Sequence, residues 1–159
     1  MAKVLIVYYT RSGNTAKMAQ GVLEGAEAVD GVAVEVKKVE DTTPEDLTKA
    51  DGIIMGSPVY YGTLAAELKK LIEDSVAFHG QLHGKVGGAF ATSGVAGGGA
   101  ETTVLDILKA MLVHGMIVKG NHSGAHYGPI CVKVPDDKAL DRCRTLGKDV
   151  AELTRKLHA

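Results

Sequence analysis

Short apolar runs rich in β-branched residues alternate with helix-periodic stretches along the whole chain, and this alternation restricts the fold more than any other feature. Residues 4–8 (VLIVY) are continuously apolar, the pattern of a strand covered on both faces. From Thr15 the apolar positions Ala16, Ala19, Val22, Leu23 and Ala26 recur at helical spacing, and Gly31 closes that unit. Residues 32–36 (VAVEV) alternate apolar and polar, as in a more peripheral strand. Thr43, Pro44, Glu45 and Asp46 make a helix start: a cap, a first-turn proline and two carboxylates at the positive end. Residues 52–56 (GIIMG) predict a short buried strand broken by Pro58, followed by a helix carrying Leu64, Leu68, Leu71 and Ile72. Residues 86–91 predict a fourth strand, and 102–113 a helix with Leu105, Leu108, Met111 and Leu112 apolar. A fifth strand begins at 116–118, is interrupted by GNHSGAHYG, and resumes over 129–134. The last helix, 136–157, places Leu140, Cys143, Leu146, Val150 and Leu153 three or four apart.

Strict strand–helix alternation implies an α/β fold, a parallel sheet with helices on both faces. Neither an internal repeat nor a Pro/Ser-rich linker appears, so residues 1–159 are expected to form a single domain. In such doubly wound sheets ligands sit at the carboxyl ends of strands near a switch point, which directs attention to the loops after strands one, three and four. The charge balance of 18 basic and 19 acidic side chains gives no bulk attraction to nucleic acid or membrane. No apolar stretch approaches membrane-spanning length and the N-terminus lacks a signal-peptide pattern, so the expectation is cytoplasmic. Cys131 and Cys143 are too few for a disulfide framework and read as small core residues.

The first loop is TRSGNT, and it matches neither a Walker A loop nor a GxGxxG turn. Thr10, Ser12 and Thr15 supply hydroxyls, Gly13 permits a tight turn, and the helix behind presents free N–H groups. That chemistry suits a terminal phosphate that is held and not transferred; the alternative is a simple helix cap at Ser12 or Asn14. The second loop, SPVYYG (57–62), concentrates two of the chain's five tyrosines at a strand end, where a planar ligand can stack and Gly62 lets a peptide approach its edge. Packing of both rings on a neighbouring helix would account for them equally. The third, ATSGVAGGGAETT (91–103), offers a nearly bare backbone wall, with Glu101 placed for the next helix start; a ligand-free lid would look similar. The order 2-1-3-4-5 makes strands one, three and four neighbours, and the three loops together fit flavin mononucleotide (FMN).

At these residues, and over essentially its full length, the chain resembles the flavodoxin-like superfamily. More narrowly it is similar to the WrbA-type NAD(P)H:quinone oxidoreductases, through TRSGNT, GSPVYYG, TSGVAGGGAETT, HGM (114–116) and SGAHYGP (123–129). The resemblance implies that Thr10, Arg11, Ser12, Gly13, Asn14 and Thr15 hold the FMN phosphate. It implies that Pro58, Val59, Tyr60, Tyr61 and Gly62 wrap the isoalloxazine, and that Thr92, Ser93, Gly94, Val95, Ala96 and Gly97 border it. It also maps a flavin-adjacent histidine to His114. This chain is more compact than that family and has Tyr60 where an arginine is expected. A homo-oligomer is an expectation of the same resemblance.

His79/His83 and His122/His126 are each four apart, but the glycines between them spoil helical metal spacing, and no metal is expected. His126, with His122, lies where the fifth strand is interrupted, so a histidine there is a candidate to hydrogen-bond a reduced flavin or a quinone oxygen; an exposed loop histidine is the plainer reading. His114 is equally well explained as a helix C-terminal histidine. The expected function is an FMN-dependent oxidoreductase that draws on NAD(P)H and reduces a quinone-like acceptor. The alternative is a flavodoxin-type carrier serving a redox partner protein, which the net charge of −1 disfavours because such carriers dock through acidic surfaces. A non-catalytic FMN-binding subunit is a third reading.

Overall fold

The computed structural model describes residues 1–158. Five strand positions build the central parallel sheet. β1 (Ala2–Tyr8) lies between β2 (Val32–Lys38) and β3 (Gly52–Tyr60), and β3 pairs in turn with β5 (Val86–Ser93). The fifth position is filled by two pieces on the far side of β5: β6 (Ile117–Val118) beside Val86 and Gly87, and β7 (Ile130–Val132) beside Ala91, Thr92 and Ser93. A two-residue strand, β4 (Thr63–Leu64), folds back antiparallel on β3. With the antiparallel β4 set aside and β6 and β7 taken as one position, this is the expected 2-1-3-4-5 order, with the expected interruption of the last strand.

Successive side chains along a strand face opposite ways, so a strand buried on both faces needs apolar residues throughout. In β1, Val4 and Ile6 enter one core with Met18, Val22, Cys143 and Val150; Leu5 and Val7 enter the other with Leu68, Leu71, Val104 and Ile107. The first core lies under α1 (Asn14–Glu27) and α5 (Asp137–His158). The second lies under α2 (Pro44–Lys49), α3 (Ala66–Asp74) and α4 (Ala100–Val113). α1 and α5 cross closely because glycine leaves room: a Cβ on Gly147 would stand 2.0 Å from the Val22 carbonyl oxygen, and one on Gly25 1.9 Å from that of Arg144. Thr43 caps α2, as the sequence predicts, and Asp46 accepts from the Thr43 N–H in return.

Two boundaries and one buried face differ from the sequence reading. β3 does not stop at Pro58 but runs to Tyr60, with Pro58 opposite Thr92; proline forfeits one ladder donor and remains compatible with extended backbone. Leu64 belongs to β4 and not to the following helix. On α4 the buried stripe is Ala100, Thr103, Val104, Ile107 and Met111, while Leu112 is exposed, since the helix turns its hydrophobic excess partly outward.

Both cysteines lie in the first core. Burial pushes the Cys143 thiol up to about 12 and raises Cys131 as well, which suppresses thiolate chemistry at both.

Candidate functional site

The loops after β1, β3 and β5 meet at the carboxyl end of the sheet. Tyr9 N–H donates to the Gly56 carbonyl at 3.1 Å, tying the first loop to β3. The Thr15 and Thr92 hydroxyls are 2.8 Å apart, tying the first loop to the end of β5. Gly99 approaches Gly62 so closely that a Cβ would come within 2.8 Å of the Gly62 Cα, and Thr102 donates to the Gly62 carbonyl at 3.2 Å. The second and third loops are thereby joined as well.

At the first loop neither Ser12 nor Asn14 caps α1. The N-cap is Gly13 in the left-handed region (φ 94°), without any side-chain cap; its N–H is taken by Thr10 Oγ1 at 3.1 Å. The first turn of α1 holds no acidic residue, whereas α2, α3, α4 and α5 each carry at least one. A helix N-terminus carries orphan N–H donors and about half a positive charge, normally answered by a cap or a carboxylate. Here both answers are missing, and Ser12 is exposed beside the gap. An external anion completes such an end. Thr15 is 1% exposed, with its hydroxyl shared with Thr92, so it braces two loops as well as opening the helix.

The second loop is a hairpin. Tyr60 pairs with Thr63, and Tyr61 (φ 49°) and Gly62 (φ 83°) make the turn, both at positive φ as a two-residue type I′ turn requires. Ser57 props its base: its hydroxyl donates to the Pro58 carbonyl at 2.7 Å and accepts the Ala65 N–H at 2.8 Å. The Tyr61 ring stands wholly in solvent, so the reading of both tyrosines packed against a helix fails for this one. The Tyr60 ring meets Tyr9 edge-on at 6.4 Å and lies 4.4 Å below the Arg11 guanidinium carbon. Burial pushes the Tyr60 phenol up, with Arg11 partly opposing it. Arg11, expected in the phosphate loop, rests its guanidinium on the Tyr60 ring.

Thr92 and Ser93 prove to be the last residues of β5, both buried; Ser93 donates to the Val95 carbonyl at 3.0 Å. Gly94, Val95, Ala96 and Gly97 are exposed, and added Cβ atoms at Gly94 or Gly97 would meet nothing within 4 Å. The three loops thus bring together a donor-rich end, an aromatic side and a glycine-rich side that also carries the exposed Val95.

The two candidate histidines lie elsewhere. His114 follows α4 at the opposite end of the sheet, where Gly84 N–H donates to the Gly115 carbonyl just before β5 begins. A helix that starts at the carboxyl end of one strand ends near the amino end of the next, which removes His114 from any flavin at this site. Its ring faces Ser75 and, at 5.9 Å, His79; burial, with His79 adding to it, lowers its pKa. His126 is in the 119–129 loop at the outer edge of β5, its Nδ1–H donating to the Asn121 carbonyl at 2.7 Å. There it lines a cavity of about 370 Å³ against Arg142, Thr145 and Asp149 of α5, and not the three-loop site.

The model of the NADPH-dependent FMN reductase family matches residues 2–128. A flavodoxin of Aquifex aeolicus is 38% identical over 96% of this chain and 86% of its own length. An NAD(P)H dehydrogenase (quinone) of Archaeoglobus fulgidus is 31% identical over 99% of this chain and all of its own, in an alignment of 191 positions, so it holds segments this chain lacks. The crystal structure of a WrbA-like flavodoxin from Agrobacterium tumefaciens superposes with a TM-score of 0.81 at 26% identity, covering 99% of each chain.

Proposed function

This chain belongs to the NADPH-dependent FMN reductase family, and we propose that it is an FMN-dependent NAD(P)H oxidoreductase whose acceptor is quinone-like, built as one flavodoxin-like domain. The observation that carries the reading is the uncapped, acid-free start of α1 at the meeting point of the three loops. An FMN phosphate fits there: the amides of Ser12, Asn14 and Thr15 and the Ser12 hydroxyl are donors for it, while the Gly13 N–H is held by Thr10, and each hydrogen bond to the charged group contributes roughly 1.5–3 kcal/mol. Tyr60, with Pro58, Val59, Tyr61 and Gly62, forms the hairpin side of the isoalloxazine position. Gly94 to Gly97 form the opposite side, where the open space at Gly94 and Gly97 lets a flat ring approach the main chain beside the exposed Val95.

When bound, FMN supplies the two-electron chemistry; the chain binds and orients it and sets its electrostatics. The exposed N–H groups of the third loop are placed to favour negative charge near them, so no side-chain acid is required. With His114 and His126 away from the site, neither is assigned a proton-transfer role.

A second reading, an electron carrier without nucleotide turnover, is favoured by the 38% identical flavodoxin. Anaerobic stopped-flow mixing of the FMN-loaded protein with NADPH or NADH separates the two. Bleaching of the flavin band by either nucleotide, followed by reoxidation with a benzoquinone, is the expected result. If neither nucleotide bleaches it while a chemical reductant does, the oxidoreductase reading is wrong.

A further inference from the structure

Beside the hairpin, a groove of about 650 Å³ is lined by Arg11, Tyr60, Glu67 and Lys69 together with the apolar Val59 and Leu64. Its lining includes none of residues 12–15 and none of residues 92–97, so it is a different recess from the three-loop site while sharing the Tyr60 hairpin with it. Its size is that of a small-molecule site.

Arg11 is the unusual member. None of the ion pairs among the described residues involves it. Its one specific contact is the Tyr60 ring at 4.4 Å, and that ring is itself steadied edge-on by Tyr9. An aromatic face orients a guanidinium but offers its N–H groups no oxygen. The fork of donors therefore stays uncommitted, and such a fork matches phosphate oxygens. Lys69 adds a second cation to the lining, shared with Glu73 of its own helix. Glu67 adds a carboxylate to the same lining, suited to ribose hydroxyls and not to phosphate. A neutral quinone has no use for two cations; a dinucleotide with phosphates and sugars has use for all three groups.

Resting on the oxidoreductase reading, we propose that this groove receives the phosphate-bearing part of the nicotinamide dinucleotide, with the Arg11 guanidinium as its phosphate contact and Tyr60 as the seat that positions it. The nicotinamide ring then reaches around the hairpin to the three-loop site.

The test uses the FMN-loaded protein and two readouts. Adenosine 2′,5′-bisphosphate, which cannot donate electrons, is titrated by calorimetry, and NADPH dependence is read from the concentration at half-maximal flavin reduction. Arg11→Gln is expected to weaken both about tenfold, with the limiting reduction rate and the FMN affinity within twofold of the unmodified chain. Arg11→Lys, which keeps the charge but not the fork, restores part of the loss, and Tyr60→Leu loosens both ligands severalfold. Unchanged binding of the bisphosphate in Arg11→Gln overturns the inference. So does a loss of FMN affinity with no effect on nucleotide in flavin-saturated protein, which would give the guanidinium to the flavin. Arg11-dependent binding of the bisphosphate without flavin reduction by NADPH would remove the oxidoreductase reading and leave the phosphate site standing.

Discussion

His114 holds a ring nitrogen, Nδ1, that is buried without a hydrogen-bond partner, while its Nε2 lies 2.8 Å from the Ser75 hydroxyl. Ser75 donates its own hydrogen to the Ile72 carbonyl at 2.6 Å, so His114 donates from Nε2 and leaves Nδ1 bare. Protonation would place a charge in this poorly solvated corner beside His79, and the negative end of α4 only partly offsets that. The folded pKa therefore lies below the ordinary value of 6.5, while the unfolded chain takes up its proton near 6.5. Between those two values the unfolded state binds more protons, so stability rises with pH there and is lost as pH falls below about 6.5. Melting temperature measured from pH 7.5 to 5 should show this decline, and His114→Gln, which keeps a donor toward Ser75, should flatten it. Parallel curves for the two proteins would remove His114 as the cause. The HGM segment gave no warning of this, because a histidine's burial depends on where its helix ends against the rest of the fold.

At the scale of elements, α1 and the β3–β4 hairpin carry the site. The helix start was readable from TRSGNT, including its glycine; that no side chain caps it was not, since Ser12 and Asn14 are both competent caps in sequence. Asn14→Asp puts a carboxylate in the first turn of α1 and separates helix stability from ligand binding by sign. It should stabilise the flavin-free protein by about 0.3–1 kcal/mol through the helix dipole. In flavin titrations followed by fluorescence it should weaken FMN about tenfold, a change of 1.4 kcal/mol, while leaving riboflavin nearly unaffected. Equal losses for both flavins would show that no phosphate rests at this helix end. The hairpin had a legible cue, a Tyr-Gly pair flanked by strand formers, but Pro58 masks it because proline usually ends strands. The stacking of Arg11 on Tyr60 has no cue of its own: it joins side chains 49 positions apart that only the β1–β3 pairing makes neighbours.

For the whole molecule, three loops on three strands are held in one arrangement by the sheet, so a ligand that touches all three stabilises the complete fold. Binding to the native state alone adds about 2.7 kcal/mol at a free ligand concentration one hundred times Kd. For a chain of 159 residues that corresponds to a rise in melting temperature of roughly 5–10 °C. FMN should produce a shift of this order in a thermal melt, and riboflavin at the same concentration a clearly smaller one. Matching shifts would deprive the α1 terminus of its role in anchoring. No helix among the described residues is long and apolar enough to cross a membrane.

The chain's sequence alone determined the parallel α/β architecture, the strand order, the interrupted fifth strand and the three loops at the carboxyl end of the sheet. Those features rest on hydrophobic periodicity and turn chemistry, which act over a few residues and are written in order along the chain. Only the tertiary structure decided which polar groups stay free. It spent the Thr15 hydroxyl on Thr92, lifted Arg11 onto Tyr60, left the start of α1 without a counter-charge, and carried His114 and His126 away from the three loops. Those outcomes depend on distances between residues far apart in sequence, set by how strands register and where helices end. Residue type and spacing do not encode them.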